Sequence, residues 1–166
     1  MNRSSPFEDE LAALLPRLRR FAHALAGSTS DADDLAQMTV ERALRSRAQW
    51  QPGTRLDSWL YRIMRNLWID TVRSRARRER LEAPAEEGVN LGEDPRGGIE
   101  ASIDLQRMME AMQRLPEDQR EVVALILIEG YGYRETAEML DLPIGTVSSR
   151  LVRGRTALLA MVGEQG

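Results

Sequence analysis

The sequence has no cysteine, no lysine and a single histidine, His23. Without thiols the chain has no disulfide framework, no thiolate metal site and no cysteine nucleophile. One imidazole leaves little from which to build a histidine metal site or a Ser-His-Asp triad, because both need several partners. These absences argue against a metalloprotein and against an enzyme.

Long apolar runs are also missing. No segment approaches the ~20 apolar residues that a membrane-spanning helix needs. Glu8, Asp9 and Glu10 stand where a signal peptide would have its apolar run. We therefore expect a cytoplasmic chain that does not insert into membranes. Its 166 residues, 42% hydrophobic and 30% charged, suit a globular protein of one domain or two small ones.

The charge is separated into blocks. The whole chain carries -3, yet residues 60–80 hold seven arginines and two acids, a net charge of +5. Residues 81–104 hold seven acids and one arginine, a net charge of -6. A basic block on an acidic protein favours a polyanionic partner. The acidic block either mimics DNA in a basic channel of a partner or is a solvated spacer.

Apolar residues at helical spacing predict helices over residues 7–26, 31–46 and 56–80. Pro16 kinks the first helix or starts a second one, and Ser30 is the natural cap of the helix that follows. Residues 81–101 contain proline and glycine without a sustained period, which predicts a flexible linker. Two more helices follow over 104–115 and 117–130, and the second is apolar nearly all round, which predicts the core of a C-terminal module.

Residues 134–161 read as two helices joined by a tight turn at Asp141–Pro143, where Asp141 tolerates a left-handed backbone. The second helix has a narrow apolar stripe, and Gly154 within it predicts a close approach of two helices. The opposite face predicts a DNA-binding surface, because residues 145–162 contain no acid. The alternative is an ordinary helical hairpin with a charged exterior. The stripe is Val147, Leu151, Gly154 and Leu158; the outer face is centred on Gly145, Ser149, Val152, Arg153 and Thr156.

Four aromatic residues, Trp50, Trp59, Tyr61 and Trp68, lie just before or within the arginine-rich helix. Rings beside arginines suit single-stranded nucleic acid, because bases stack on rings while guanidinium groups contact phosphates. The alternative is that they are core residues, which is the favoured interpretation for Trp59. Trp59 and Trp68 are about 180° apart on a helix, so both cannot face the same core. Helix packing explains Trp50 poorly, because Trp50 lies in a Pro-Gly loop.

Two segments resemble conserved regions of bacterial sigma factors. One segment is similar to their fourth conserved region; it reads LPEDQREVVALILIEGYGYRETAEMLDLPIGTVSSRLVRGRTALL. The other segment resembles their second conserved region; it consists of DADDLAQMTVERALR and WQPGTRLDSWLYRIMRNLWIDTVRSRARR. With only these two modules, the chain is similar to the extracytoplasmic-function sigma factors of the sigma-70 family. The resemblance implies an all-α fold of two small helical domains, with region 2 at residues 7–80, a flexible acidic linker at 81–103 and region 4 at 104–163.

The resemblance also implies function. Such a protein binds core RNA polymerase, directs it to a two-part promoter and helps to open the duplex, with no cofactor, no small-molecule substrate and no active site. An anti-sigma factor that holds it inactive and a role in a stress response are also expected. The helix over residues 31–45 would grip the polymerase through Asp33, Asp34, Leu35 and Gln37. Met38 departs from the carboxylate that the family often has there.

The residues that would contact promoter DNA follow from the same resemblance. Trp50 would hold a base flipped from the downstream (-10) element, and the other residues assigned to that element are Tyr61, Arg62, Asn66 and Arg73. Tyr61 and Asn66 lie about 140° apart, so at most one is central on the DNA face. In region 4, Thr146 and Arg150 would lie near phosphates, while Ser148, Ser149, Val152 and Arg153 would read the upstream (-35) element. Ser148 and Val152 depart from residues common in relatives.

Two other classes of protein remain as alternatives. A stand-alone helix-turn-helix regulator would explain the C-terminal module but would leave the Trp50 loop and the arginine-rich helix without a role. An enzyme could in principle chelate a cation with Asp31, Asp33 and Asp34. The positive end of a helix already explains these acids, and no base, nucleophile or phosphate loop accompanies them.

Overall fold

The computed structural model describes residues 5–82 and 101–163, in which every regular element is a helix. The N-terminal half contains α1 (Pro6–Ala26), α2 (Thr29–Arg45), a 3-10 turn (Arg47–Gln49) and α3 (Leu56–Leu81). The C-terminal half contains α4 (Ala101–Arg114), α5 (Glu117–Val123), a π-helical segment (Ala124–Ile128), α6 (Tyr133–Leu140) and α7 (Ile144–Gly163). The prediction of an all-α chain with two helical domains is confirmed. Most of the predicted linker, residues 81–103, lies outside the described residues.

The structure differs from two local predictions at the start of the chain. α1 runs without a break through Pro16, so no second helix starts there. The N-cap of α2 is Ser28, so the prediction of Ser30 as the cap was wrong. The Ser28 side chain accepts a hydrogen bond from the Asp31 amide at 3.2 Å, and the helix therefore begins one residue before Ser30.

The expected burial of the apolar run after α5 is only partly right. Val122, Val123 and Leu125 are fully buried, as predicted for a core segment. Leu127 and Ile128 are 49% and 40% exposed, because the run leaves α-helical geometry at residue 124 and turns its last residues outward. The C-terminal half therefore keeps a small apolar patch at its surface.

The two tryptophans of α3 lie in different environments, and Trp59 packs against the core, as its favoured interpretation predicted. Trp68 is only 8% exposed, while Trp59 is half-buried beside Phe7. The Arg75 guanidinium lies 5.8 Å from the centre of the Trp68 ring, and Trp68 also lines a cavity together with Glu117 and Glu121 of α5. The spacing of apolar residues in α3 does not reveal this cavity.

α7 approaches α5 closely at Gly154. A Cβ atom at this position would lie 2.7 Å from Val123 Cγ2 and 3.3 Å from Gln119 Cβ. The first separation is far below van der Waals contact, so any larger side chain would push the two helices apart. This confirms the close approach predicted from the glycine.

The two halves pack against each other, and many of the contacts between them are polar. Arg20 of α1 contacts the buried carboxylate of Glu129 (Nε–Oε1 3.3 Å), and Arg65 of α3 pairs with Glu121 of α5 (Nε–Oε2 2.7 Å). Polar interfaces of this kind are typical of domains that can move relative to one another. The packing is therefore compatible with two domains that separate during function.

At the centre of this interface lies a group that we call the Tyr131 cluster. The Tyr131 hydroxyl donates a hydrogen bond to Asp57 Oδ2 at 2.7 Å and accepts one from the Arg17 guanidinium. Arg55 pairs with the same Asp57 oxygen at 2.9 Å. The cluster thus joins the start of α3 to the turn before α6. Its members are Arg17, Arg55, Asp57, Tyr61, Glu129 and Tyr131.

The cluster shifts the pKa values of its own members. Burial works to raise the pKa of Asp57, but hydrogen bonds from Arg55 and Tyr131 outweigh it and hold this pKa below its usual range. Burial and the bond to Asp57 raise the pKa of Tyr131, while burial and the nearby Glu129 raise the pKa of Tyr61 to about 12. At neutral pH, Asp57 is therefore ionised and both phenols keep their protons.

The close approach at Gly154 predicts the effect of a single methyl group. We expect Gly154→Ala to lower the free energy of unfolding by about 1–3 kcal/mol, because overpacking outweighs the better helix propensity of alanine. Gly145→Ala is the matched control on α7, since its Cβ meets open space, and it should be neutral or stabilising. Thermal unfolding of both variants tests this, and a stabilising effect of Gly154→Ala would contradict the packing.

The Tyr131 cluster predicts a dependence of stability on pH. We expect Asp57→Asn to lower the free energy of unfolding at pH 7 by about 1–3 kcal/mol, because it weakens charge-assisted hydrogen bonds in a buried site. The pKa of Asp57 is lower in the folded than in the unfolded protein. The ionised Asp57 therefore stabilises the fold fully above pH ~4, and this stabilisation is lost as the pH falls through the pKa that Asp57 has in the folded protein. The difference from wild type in urea unfolding should shrink below pH ~4.

Glu121→Gln is the control at the same interface, because the pKa of Glu121 is shifted in the opposite direction to that of Asp57. Burial raises the pKa of Glu121 although Arg65 works to lower it. The ionised form is therefore less favourable in the folded protein than in the unfolded one, and its contribution to stability falls as the pH rises above ~4. This variant should be neutral or stabilising at pH 7. Equal destabilisation by the two variants at pH 7 would refute the assignment.

Candidate nucleic-acid and polymerase surfaces

α6 and α7 form the helix-turn-helix that the sequence predicts. Asp141 has a left-handed backbone (φ 53°, ψ 50°), as expected, and ends α6. The Leu142 amide donates to the Ala137 carbonyl at 2.9 Å, which closes the turn. The Thr146 amide then donates to the Pro143 carbonyl at 3.0 Å and begins α7. The reversal of the chain is fixed by its backbone hydrogen bonds.

α7 buries the predicted stripe and exposes the predicted face. Among the residues expected near the upstream element, Val152 is 60% exposed, while Thr146 and Ser148 are half-buried at the edge of the face. Arg150 is half-buried and its Nε lies 3.5 Å from Asp118 Oδ2 on α5, so its charge is partly neutralised in this arrangement. The exposed face consists of Gly145, Ser149, Val152, Arg153 and Thr156.

α2 presents an acidic and polar surface. Asp33, Asp34 and Gln37 are exposed, and the Gln37 amide donates to the Glu41 carboxylate at 3.3 Å. Leu35 is only 2% exposed, which corrects the expectation that it contacts the polymerase directly. An apolar side chain at this position points into the core, and it therefore holds the helix in place while its neighbours face solvent.

An ion pair fixes the start of α2 against the far end of α3. Arg75 makes two contacts with the Asp31 carboxylate, at 2.6 and 3.0 Å, and its guanidinium lies 5.8 Å from the centre of the Trp68 ring. The hydrogen bonds from Arg75 lower the pKa of Asp31. Asp31 is therefore engaged by an arginine. Within the described ranges no group of three or more acidic or histidine side chains is placed to hold a metal ion.

The loop between α2 and α3 carries Trp50. Residues 51–55 are exposed, and Gly53 has a φ of 90°, which favours glycine. The Thr54 amide donates to the Gln51 carbonyl at 3.2 Å and closes the loop. Trp50 is half-buried with its ring centre 5.5 Å from that of Phe7. Packing therefore explains one side of this indole, contrary to the expectation from its loop position.

The residues of α3 that were expected to contact the downstream element fall into two groups. Asn66 and Arg73 are exposed. Tyr61 is only 2% exposed, because its ring packs edge-on against Phe21 (4.5 Å) and Tyr131 (5.7 Å). The expectation that Tyr61 faces DNA therefore does not hold in this arrangement, where the C-terminal half contributes to its cover.

Arg62 is exposed, yet it is engaged by the C-terminal half. Its Nε donates to the Met139 carbonyl at 3.3 Å, and its Nη2 donates to the Glu138 carbonyl. These carbonyls belong to the last turn of α6, where the helix dipole favours a cation. The arginine that was expected at the downstream element therefore caps the first helix of the helix-turn-helix.

The residues that hold the two halves together were not predicted from the sequence. The available signal was the pair of acids, Glu121 and Glu129, at the two ends of an apolar run, where a buried carboxylate must find a partner. Arg120 is only 8% exposed and donates at 2.9–3.0 Å to carbonyls of both halves. The missed residues are Asp57, Arg120, Glu129 and Tyr131, and the carbonyls bonded to Arg120 belong to Met112, Gln113, Leu115 and Leu25.

No helix in residues 5–82 or 101–163 is both long and apolar enough to cross a lipid bilayer. Apart from Val152, the exposed residues assigned to partners on α2, α3 and α7 are polar or charged, so macromolecular partners with complementary charge suit them best.

Family models match both halves of the chain. Sigma-70 region 2 matches residues 11–78, and sigma-70 region 4 matches residues 105–158. The chain is 37% identical over 158 residues to the ECF RNA polymerase sigma factor EcfG of Rhodopseudomonas palustris, covering 95% of this chain and 86% of that protein. It is 40% identical over 148 residues to the ECF RNA polymerase sigma factor SigE of Mycolicibacterium smegmatis, covering 86% of this chain and 56% of that protein.

A solved structure extends the similarity to the arrangement of both halves. The sigma factor RpoE of Bartonella quintana, in complex with the anti-sigma factor NepR, matches with a TM-score of 0.78 at 30% identity, covering 95% of this chain and 96% of that one. The chain therefore belongs to the extracytoplasmic-function sigma factors of the sigma-70 family, which are non-enzymatic factors of transcription initiation.

Proposed function

We propose that this sigma factor binds core RNA polymerase in the cytoplasm, directs it to a two-part promoter and assists opening of the duplex. Residues 7–80 would act as region 2 and residues 104–163 as region 4, connected by residues 81–103. The observation that carries the proposal is the presence of two chemically different surfaces, an acidic one on α2 and an arginine-bearing one on α7. A protein with a single macromolecular partner would need only one of them.

The polymerase surface is the exposed side of α2. Asp33, Asp34 and Gln37 share this side, and the bond from Arg75 to Asp31 holds the helix in a fixed orientation. Exposed carboxylates attract a basic partner surface over about one Debye length, ~8 Å at physiological salt. We therefore assign this side of α2 to a basic surface of the core enzyme.

The upstream promoter element would be read by α7 in the major groove. Arg153 and Ser149 lie on the exposed face, where a guanidinium group can take two acceptors of guanine. Val152 would give an apolar contact, such as one with a thymine methyl group. Thr146, Ser148 and Arg150 lie at the edge of the same face, where phosphates flank an inserted helix.

The downstream element would be opened by the Trp50 loop and contacted by Asn66 and Arg73. Extrusion of a base costs a few kcal/mol, which the protein must offset through stacking and hydrogen bonds. Trp50 offers a partly exposed indole at the surface of region 2. Asn66 and Arg73 are exposed on α3, where they can contact neighbouring bases and phosphates.

The arrangement of the two halves sets a condition on promoter recognition. Tyr61 is covered and Arg62 caps α6, so region 2 reaches its full DNA surface only when the C-terminal half moves away. A partner that binds the separated form more tightly shifts the equilibrium towards it. We assign this role to core polymerase, which would engage both regions at once.

We also propose that an anti-sigma factor controls the protein. The similar RpoE of Bartonella quintana was solved with the anti-sigma factor NepR, and the match includes both halves. An inhibitor that covers the exposed side of α2 and contacts the C-terminal half would compete with the polymerase for the same surfaces. It would also stabilise the packed arrangement of the halves.

The alternative of a stand-alone helix-turn-helix regulator is less favoured. It leaves unexplained the match of residues 11–78 to sigma-70 region 2 and the acidic side of α2. Purification of the protein with and without core polymerase distinguishes the two functions, because only a sigma factor should form a stable complex with the core enzyme.

The assignment of Arg153 predicts a promoter-specific defect. Arg153→Ala should weaken initiation in vitro by about five- to a hundredfold, since a bidentate contact with a base contributes about 1–3 kcal/mol. The variant should still bind core polymerase. On a template whose upstream element is scrambled, the variant and wild type should give equal transcription.

Arg19→Ala is the control for loss of an exposed arginine, because Arg19 is exposed on α1 in the N-terminal half. It should transcribe like wild type. An equal defect on intact and scrambled templates would remove Arg153 from the upstream contact.

The packed arrangement predicts weak DNA binding by the protein alone. In a gel-shift titration, the lone protein should bind promoter duplex only in the non-specific range, with Kd of about 10⁻⁴–10⁻⁶ M at physiological salt. Addition of core polymerase should produce a promoter-specific complex. Tight sequence-specific binding without the polymerase would show that the halves do not restrict each other.

A further inference from the structure

The first turn of α1 is attached to the loop that carries Trp50. Ser5 and Glu8 form a reciprocal cap at the start of α1, with both hydrogen bonds at 3.3 Å. Arg47, in the 3-10 turn before Trp50, contacts both of these residues, and its Nη1 lies 3.3 Å from Glu8 Oε1. Chain segments about 40 residues apart are thereby joined at one point.

Phe7 lies at the centre of this attachment. Its side chain is 4% exposed, and its ring centre is 5.5 Å from that of Trp50 and 6.3 Å from that of Trp59. The guanidinium carbon of Arg47 lies 5.2 Å from the same ring centre. One phenyl ring therefore contacts the indole of Trp50 and the side chain that anchors its loop.

Packing holds the indole, because Trp50 lies against the hydrophobic core. Residues 51–55 after it are exposed, and the buried Nε1 of Trp50 has no hydrogen-bond acceptor among the described residues. The orientation of the ring is therefore set by packing, and Phe7 supplies an aromatic contact to it. A ring that is already in place loses less conformational entropy when a ligand stacks on it.

We propose that Phe7 is a positioning residue for promoter opening, because it holds the Trp50 indole in the orientation that accepts an unpaired base. Arg47 supports this role by attaching the loop to the start of α1. This inference rests on the proposed function of Trp50 in holding a flipped base. It assigns to the first turn of α1 a part in strand opening, although this turn presents no DNA-binding side chain of its own.

The first test uses the free protein and does not depend on transcription. The chain has three tryptophans, so 5-fluorotryptophan labelling gives three ¹⁹F NMR signals, which single Trp→Phe variants assign. Phe7→Leu should shift or broaden the signals of Trp50 and Trp59 and leave that of Trp68 unchanged. Leu18→Val is the matched control, because Leu18 is a buried residue three turns further along α1. An unchanged Trp50 signal in Phe7→Leu would overturn the inference.

The second test measures strand opening with core polymerase. Phe7→Leu should reduce permanganate reactivity of thymines in the downstream element by about tenfold, the order of one base–ring stack. A template mismatched at the flipped position should recover most of this loss, because extrusion then costs less. A general loss of folding would not depend on the mismatch. Leu18→Val should open both templates like wild type.

Arg47→Ala provides a second variant that leaves the buried core intact, with Arg19→Ala as its control for charge. It should reduce opening in the same direction as Phe7→Leu and with the same recovery on the mismatched template. If wild type starts RNA chains but both variants open promoters normally, the inference is refuted and the proposed function stands. If wild type itself fails to start RNA chains with core polymerase, the proposed function fails.

Discussion

A carboxylate that is shielded from water must have a cationic or hydrogen-bonding partner, and Glu129 is in this situation. Its side chain is only 1% exposed, and the basic groups near it, Arg17 and Arg20, come from the other half of the chain. Separation of the halves therefore exchanges these partners for water, which solvates a carboxylate well. The charged groups of the interface can therefore be solvated again on separation, unlike the aromatic contact between Tyr61 and Tyr131 beside them.

The parts of the fold that follow from local rules were predictable. The stripe of α7 is buried at each of its four predicted positions, and Asp141 has the left-handed backbone expected at the turn. Burial that depends on a distant partner was not predictable. Tyr61 packs against Tyr131 of the C-terminal half, and Leu127 turns outward because the helix changes its geometry there. Neither effect leaves a mark in the spacing of apolar residues.

The candidate surfaces show the same division. The exposed side of α2 and the outer face of α7 lie where helical periodicity puts them, apart from Leu35, which the same periodicity could have placed in the core. The environments of Tyr61 and Arg62 could not be read from α3 alone, since the C-terminal half contacts both side chains. A motif identifies which residue types are available. Tertiary packing decides which of them are accessible in a given arrangement.

Arg120 shows how the C-terminal half can leave its neighbour without losing its own order. Three of its hydrogen bonds go to carbonyls at the end of α4 and in the turn after it, and only one goes to Leu25 of the N-terminal half. When the halves separate, water can replace Arg120 as the hydrogen-bond donor to the Leu25 carbonyl. The C-terminal half can therefore move as a rigid unit, because these internal hydrogen bonds of Arg120 do not depend on the position of the N-terminal half.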